Sequence, residues 1–256
     1  AIEAGAAAFV FANHVEGCLP PTGSLGGGTD VLGELPAIGV SMEVGERLRR
    51  FCKKGDVRGT LEINAEIGES MSRNTYGVVG PETGPEIIVC AHVDGHDISQ
   101  AASDNGAGVA IMCDVARALA ERAEALQTRV RFVGFGSEEL GLLGSQHWAA
   151  DHDISDIKAV VNLDGIGEGR NQVVYANRVD AFRPLIDEVS ESLRHPIQWR
   201  RKFVLHSDHW PFVLRGVPGL MVAADSGNKG RGFGHTFADT LDKVDIRDLR
   251  QHAILV

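Results

Sequence analysis

The chain has 256 residues, room for one large or two modest domains, and 43% of them are hydrophobic, enough to bury a sizeable core. A formal net charge of −10, with no basic stripe, argues against a nucleic-acid role. No apolar run approaches the roughly 18–20 residues needed to span a bilayer.

The first 68 residues have their own texture. Residues 1–8 are Ala-rich and suit the end of a helix, and residues 8–12 (AFVFA) suit an apolar strand. A Gly/Pro-rich loop runs from Gly17 to Gly33. Ala37–Val40 reads as a short strand, Glu43–Cys52 as an amphipathic helix, and residues 59–67 (GTLEINAEI) as an alternating strand. Nothing in this small α/β unit clusters His, Cys, Asp or Glu in a way that suggests chemistry. The chain starts at Ala1, without Met, and runs straight into this Ala-rich helical pattern, so a trimmed N-terminus is expected. The absence of a signal peptide is then uninformative.

From about residue 69, strands and helices alternate. Glu86–Ala91 is a buried strand, and Gly108–Leu126 a helix with an apolar stripe through Val109, Met112, Val115, Ala116 and Leu119. Strands follow at Arg129–Phe135, Ala159–Leu163, Gln172–Tyr175 and Pro218–Ala223. Helices are expected at Leu140–Ala150, at Asp180–Arg194 with Asp180 as its cap, and from Asp245 onward. Continuous apolar strands between helices predict an α/β fold: a mostly parallel central sheet flanked by helices. Such sheets bind ligands beyond the carboxyl ends of their strands. Cys18, Cys52, Cys90 and Cys113 form no CxxC pair, so no zinc ribbon is encoded. Mostly buried free thiols are expected, and a Cys18–Cys52 bridge stays open.

Polar residues follow those strands in a pattern. His92 and Asp94 come after EIIVCA, Glu138 and Glu139 after RVRFVGFGS, Asp164 after AVVNL, and His235 after PGLMVAA and a Gly-rich loop. Asp104 stands at the start of the long helix. Each has an ordinary reading on its own. A lone His after a strand is usually a loop or core residue. A Glu-Glu pair is commonly a solvated helix start, where acids are favoured. Asp104-Asn105-Gly106 is a typical cap or turn, and Asp164-Gly165 a typical turn. The coincidence changes the weighing. His92, Asp104, Glu139, Asp164 and His235 give five oxygen and nitrogen donors around one sheet edge, a composition that suits zinc or a similar divalent cation.

The series His92-Val93-Asp94, Ser103-Asp104-Asn105-Gly106-Ala107-Gly108, Gly136-Ser137-Glu138-Glu139-Leu140-Gly141-Leu142-Leu143-Gly144-Ser145, Asn162-Leu163-Asp164, Ser207-Asp208-His209-Trp210-Pro211-Phe212, His235-Thr236 and Asp239-Thr240 resembles, in this order, the M28 family of metallopeptidases. The resemblance covers about residues 69–256, which it marks as the catalytic domain. Residues 1–68 resemble the latter part of a protease-associated domain, with an unrelated small α/β lobe as the alternative. The resemblance implies a zinc-dependent exopeptidase with two Zn2+ per chain and a peptide substrate. Asp104 would bridge the ions, one completed by His92 and Asp164, the other by Glu139 and His235. Glu138 resembles the family's general base, and Asp94 the carboxylate that orients His92. Gly106 and Gly108 would let backbone approach the ions closely.

Some family members place a Tyr before the Ser-Asp-His segment as an oxyanion donor. Here the stretch reads Val204-Leu205-His206, which leaves His206 or His209 for that task, or a purely structural role for Ser207-Asp208-His209 as a helix start. Sequence expected on both sides of the chain is missing, so residues 1–68 should form a separate lobe with exposed apolar surface and no metal ligand. An aminopeptidase is the leading reading. Carboxypeptidase or dipeptidase action, a one-zinc enzyme of the glutaminyl-cyclase type, and a non-catalytic module like the peptidase-like domain of transferrin receptor are the alternatives. Family members with a protease-associated domain are often exported, which tilts the localisation toward extracytoplasmic. The sequence leaves the oligomeric state open.

Overall fold

A seven-stranded sheet organises the chain. The structure is a computed structural model that describes residues 2–24, 35–66, 68–169, 171–193, 196–225 and 232–256. The sheet strands are β3 (Thr75–Val79), β4 (Glu86–His92), β5 (Arg129–Phe135), β6 (Ile157–Leu163), β7 (Gln172–Tyr175), β8 (Gln198–Arg200) and β9 (Gly219–Ala224). Their order is β3-β5-β4-β6-β9-β7-β8. The run β5-β4-β6-β9 is parallel, as is the β7-β8 pair, whereas β3 meets β5 and β7 meets β9 antiparallel. The sheet is thus mostly parallel, as its continuous apolar strands predict.

Each central strand feeds two cores, because alternate side chains point to opposite faces. From β4, Val89 and Ala91 join Ile111, Met112 and Val115 of helix α2 (Ala107–Ala120), together with helices α4 (Arg183–Leu193) and α6 (Ile246–Leu255). Ile88 and Cys90 face the other way. They meet Trp148 of helix α3 (Leu143–Asp151) and Phe212 of the short helix α5 (Trp210–Val213). Phe135 and Phe212 are wholly buried, so truncating either to Ala would cost about 3–5 kcal/mol. Gly108 matters here. A Cβ at that position would run into the Asn105 side chain and the Leu163 carbonyl, so only Gly lets α2 close onto β6. The family resemblance had this glycine admitting metal; its observed neighbours make it a packing glycine.

Several boundaries differ from the sequence reading. The expected helix over Gly108–Leu126 divides into α2 and a 3-10 turn at Ala123–Ala125, preceded by a π-type turn at Ala102–Gly106 that carries a cis Asp104–Asn105 peptide. The stretch 59–66 forms no strand, and position 67 lies outside the described residues; alternation alone does not make a strand where no neighbour offers a ladder. Positions 25–33 of the Gly/Pro-rich loop and Arg194 also lie outside them. Residues 2–8 hold only a 3-10 turn at Ile2–Ala4, and position 1 lies outside the described residues. Asp180 sits inside a 3-10 turn and pairs with Arg201 at 2.9 Å; it caps no α-helix. Cys18 and Cys52 are free and exposed, as is Cys113, and only Cys90 is buried.

The N-terminal region contains a parallel pair, β1 (Phe9–Ala12) and β2 (Ala37–Val40), and helix α1 (Met42–Cys52), whose first turn Ser41 caps through Val44 N at 3.3 Å. Phe9, Val10, Phe11, Ile38 and Phe51 are exposed. Among the described residues, no helix is long and apolar enough to cross a membrane.

Candidate metal centre

Strands β4, β5 and β6 are adjacent and parallel, so their carboxyl ends open on one edge. His92 is the last residue of β4, Glu138 and Glu139 follow β5, and Asp164 follows β6. Asp104 enters from the turn before α2, and His235 from the loop after β9. All five candidate ligands, with Glu138, come together in one site.

Asp104 stands between two imidazoles. Its Oδ1 lies 3.0 Å from His92 Nε2, and its Oδ2 lies 3.3 Å from His235 Nε2. Asp164 Oδ1 approaches the same His92 nitrogen at 3.7 Å, and Glu139 Oε2 approaches the same His235 nitrogen at 3.2 Å. The donors thus divide into a set of His92, Asp104 and Asp164 and a set around Glu139 and His235, with Asp104 facing both.

The ring tautomers are set from behind. His92 Nδ1 lies 3.0 Å from the Asp94 main-chain oxygen, and His235 Nδ1 lies 3.1 Å from the Thr22 main-chain oxygen. A carbonyl only accepts, so each Nδ1 carries a proton, and in the neutral ring each Nε2 turns a lone pair toward carboxylate oxygens. Lone pair against anion is repulsive unless a proton or a cation lies between. The same contest governs protonation in the site. Burial pushes His92 down, but the facing carboxylates of Asp104 and Asp164 outweigh it and raise it well above the ordinary imidazole range. Burial pushes Asp104 up, yet His235 and His92 hold it well below the usual carboxylate range. Glu139 behaves likewise: burial opposes, but the imidazoles of His235 and His96 beside it bring it to about 2. Burial beside Asp164 lifts Glu138 the other way, to about 10, and a neighbouring dication would lower it again.

Asp94 serves differently from the role its resemblance implies. Its carboxylate is 3.8 Å from His92 Nδ1 and instead accepts from Glu138 N at 3.0 Å and Glu139 N at 3.1 Å. The main-chain oxygen of Asp94 orients His92, while the side chain fixes the Glu138–Glu139 turn. Two features escaped the motif reading. Ser207 Oγ donates to Asp164 Oδ2 and accepts from Asn162 Nδ2 at 2.5 Å, so the Ser207-Asp208-His209 segment backs the site through its serine. Burial pushes Asp208 up to about 7 and His209 down to about 4; both are fully buried, which removes His209 as an oxyanion donor. His96 is the second. Its Nε2 lies 3.0 Å from Glu139 Oε2, and its ring meets that of His235 edge-on at 4.4 Å. Its signal was a second imidazole four residues after His92.

The site opens into a cavity of about 1460 Å³, where His206, Tyr175 and Lys202 reach the wall. Residues 20–24 cross its rim. Thr22 N donates to His235 O at 2.8 Å, and Ser24 Oγ donates to Glu139 O at 3.2 Å.

The residues present fit a pair of zinc ions. Zinc takes imidazole nitrogen and carboxylate oxygen, and both occur here in each set. The buried Glu139 Oε1 makes no hydrogen bond, an orphan that a cation would satisfy.

An aminopeptidase of Bacillus subtilis, YwaD, is 29% identical over 266 residues, covering 99% of this chain and 56% of its own. Leucine aminopeptidase 2 of Trichophyton rubrum is 31% identical over 245 residues, covering 87% and 47%. The chain therefore spans about half the length of the curated relatives it matches. Among solved structures, a peptidase M28 precursor from Shewanella amazonensis superposes with a TM-score of 0.78 at 24% identity, covering 98% of this chain and 58% of that one. A zinc aminopeptidase from Bacillus subtilis gives 0.75 at 23%, covering 99% and 63%. These superpositions speak to the fold, a mixed α/β sheet flanked by helices. The model of peptidase family M28 matches residues 74–256, and the chain belongs to that family.

Proposed function

We propose that this chain carries the catalytic part of a two-zinc exopeptidase, acting on the amino end of peptides. In this reading residues 69–256 are the catalytic domain and residues 1–68 part of a protease-associated domain. The observation that carries it is Asp104, whose two oxygens face two different imidazoles at 3.0 and 3.3 Å. One set, His92 with Asp164, would hold one ion; the other, Glu139 with His235, would hold the second. When bound, the ions supply Lewis acidity toward the scissile carbonyl and lower the pKa of a shared water. Asp104 would hold its negative charge between the two sets, where two dications would otherwise repel.

The chain's own groups do the rest. Glu138 makes no ion pair within 4.0 Å among the described residues, so its carboxylate is left to take a proton from water and return it to the leaving amine. Asp94 holds it there through the main-chain amides of Glu138 and Glu139. The relatives' names support the amino-terminal direction. The test is hydrolysis of aminoacyl p-nitroanilides beside their N-acetylated counterparts, before and after chelation. Release from the free-amine substrates only, lost on chelation and restored by zinc, is expected. Equal cleavage of the N-acetylated set, or activity indifferent to chelators, would refute it.

A further inference from the structure

His96 is left over by the two sets of ligands just described, yet it stands inside one of them. It lies on the loop after β4, four residues beyond His92. Its Nε2 is 3.0 Å from Glu139 Oε2, and His235 Nε2 is 3.2 Å from that same oxygen. Ligand atoms on one tetrahedral zinc, with bonds of about 2.0–2.1 Å, lie roughly 3.3 Å apart. The two distances match such an edge.

A simple hydrogen bond does not account for the contact. His96 Nε2 is shut off from solvent, and despite the short distance it makes no hydrogen bond of acceptable direction. Nor does Glu139 Oε1, also buried. The ligand atoms of His96, Glu139 and His235 all lie within 4.8 Å of one another, as co-ligands of one ion do. The edge-on packing of the His96 and His235 rings, with centroids 4.4 Å apart, lets both nitrogens reach such an ion. An unmade bond at a buried ring nitrogen is destabilising, so the ring needs some partner there.

We propose that His96 is a further protein ligand to the zinc held by Glu139 and His235. The inference rests on the two-metal reading above. It makes the two positions chemically unequal: His92 is the single imidazole in one set, whereas His96 and His235 give the other two. The position with two imidazoles is the more nitrogen-rich and should hold zinc more tightly.

The test is metal binding, read without substrate. Wild-type protein, His96→Ala and His96→Gln are stripped, titrated with Zn2+ against a chromogenic chelator, and examined by zinc X-ray absorption and by the visible spectrum of the Co2+ form. Circular dichroism checks that each variant is folded. Fully loaded wild-type protein should show three imidazoles shared by two ions. Both variants should lose one imidazole, change the Co2+ spectrum and weaken one equivalent at least about 10–100-fold while the other is unmoved. Removing a group that only steadies a ligand can also cost 10–100-fold. Weaker binding with an unchanged imidazole count would therefore overturn the proposal and make His96 a positioning residue. So would two imidazoles in the wild type, a measurement that needs no variant. Wild-type protein that binds no second ion would instead bring down the two-metal reading itself.

Discussion

Glu138 and Glu139 are neighbours with opposite assignments, and exchanging each for Gln separates them. Glu138→Gln keeps the shape of the side chain, and the turn stays in place because Asp94 holds both main-chain amides, at 3.0 and 3.1 Å. The carboxylate it replaces makes no ion pair within 4.0 Å among the described residues, so no ion pair goes with it. What goes is a proton acceptor. The expected fall in kcat is on the order of 10²–10⁴, the scale of general acid–base catalysis. That is roughly 3–5 kcal/mol of barrier at about 1.36 kcal/mol per tenfold. Zinc content should stay near that of the wild type, and KM should move far less than kcat. Glu139→Gln removes the carboxylate facing His235 at 3.2 Å and His96 at 3.0 Å, so metal should be lost first and activity with it, partly recovered in excess zinc. Steady-state kinetics with elemental analysis of the same samples reads both. Wild-type turnover by Glu138→Gln with both ions present would refute the assignment of the base.

Other perturbations bear on separate parts of the account. Ser207→Ala removes the hydroxyl that donates to Asp164, and zinc affinity should fall roughly 10–100-fold, measured by chelator competition. Thr22→Pro deletes the amide that donates to His235 O at 2.8 Å; one zinc equivalent should weaken by about tenfold while the melting temperature barely moves. His252 has carbonyls at both ring nitrogens, Asp248 O at 2.9 Å and Ala223 O at 3.2 Å, and the ring can donate to both only in the charged form. Burial lowers its pKa, but Asp248 outweighs that and raises it, so its stabilisation is full below the ordinary imidazole range of about 6.5 and lost as pH rises through the folded value. Melting temperature followed upward from pH 6 should therefore drop more in the wild type than in His252→Gln. Glu43 runs the other way. Main-chain amides, including those of Gly17 and Cys18, hold it at about 2, so its contribution is present above about 4.5 and lost as pH falls toward 2; exchange of those two amides should quicken over that range.

The parallel strands were legible because each is a short, unbroken apolar run bounded by turn residues. Strands β5 and β7 fall where the residues put them, and β2 does too. Strand β3 was missed: Gly77 interrupts it, its side chains are largely exposed, and it exists only as the antiparallel partner of β5. Strand β8 is three residues long, too short for any periodicity to declare itself. The site was legible because its donors sit at strand ends, which chain position reveals. What stayed hidden depends on chain segments far apart in sequence. Nothing local to Thr22 says that its carbonyl will meet His235, 213 positions on. Nothing local to Asp94 says that its side chain will take the amides of Glu138 and Glu139 and leave His92 to its main-chain oxygen.

The central claim is that Asp104 joins two zinc ions into one centre. Zinc per chain, measured by elemental analysis on wild-type and Asp104→Ala protein after equilibration with the metal, tests it most directly. The account predicts two ions in the wild type and loss of both in Asp104→Ala, because each set loses an oxygen that faces its imidazole. A single ion in the wild type, or zinc retained by Asp104→Ala at the wild-type level, would contradict it.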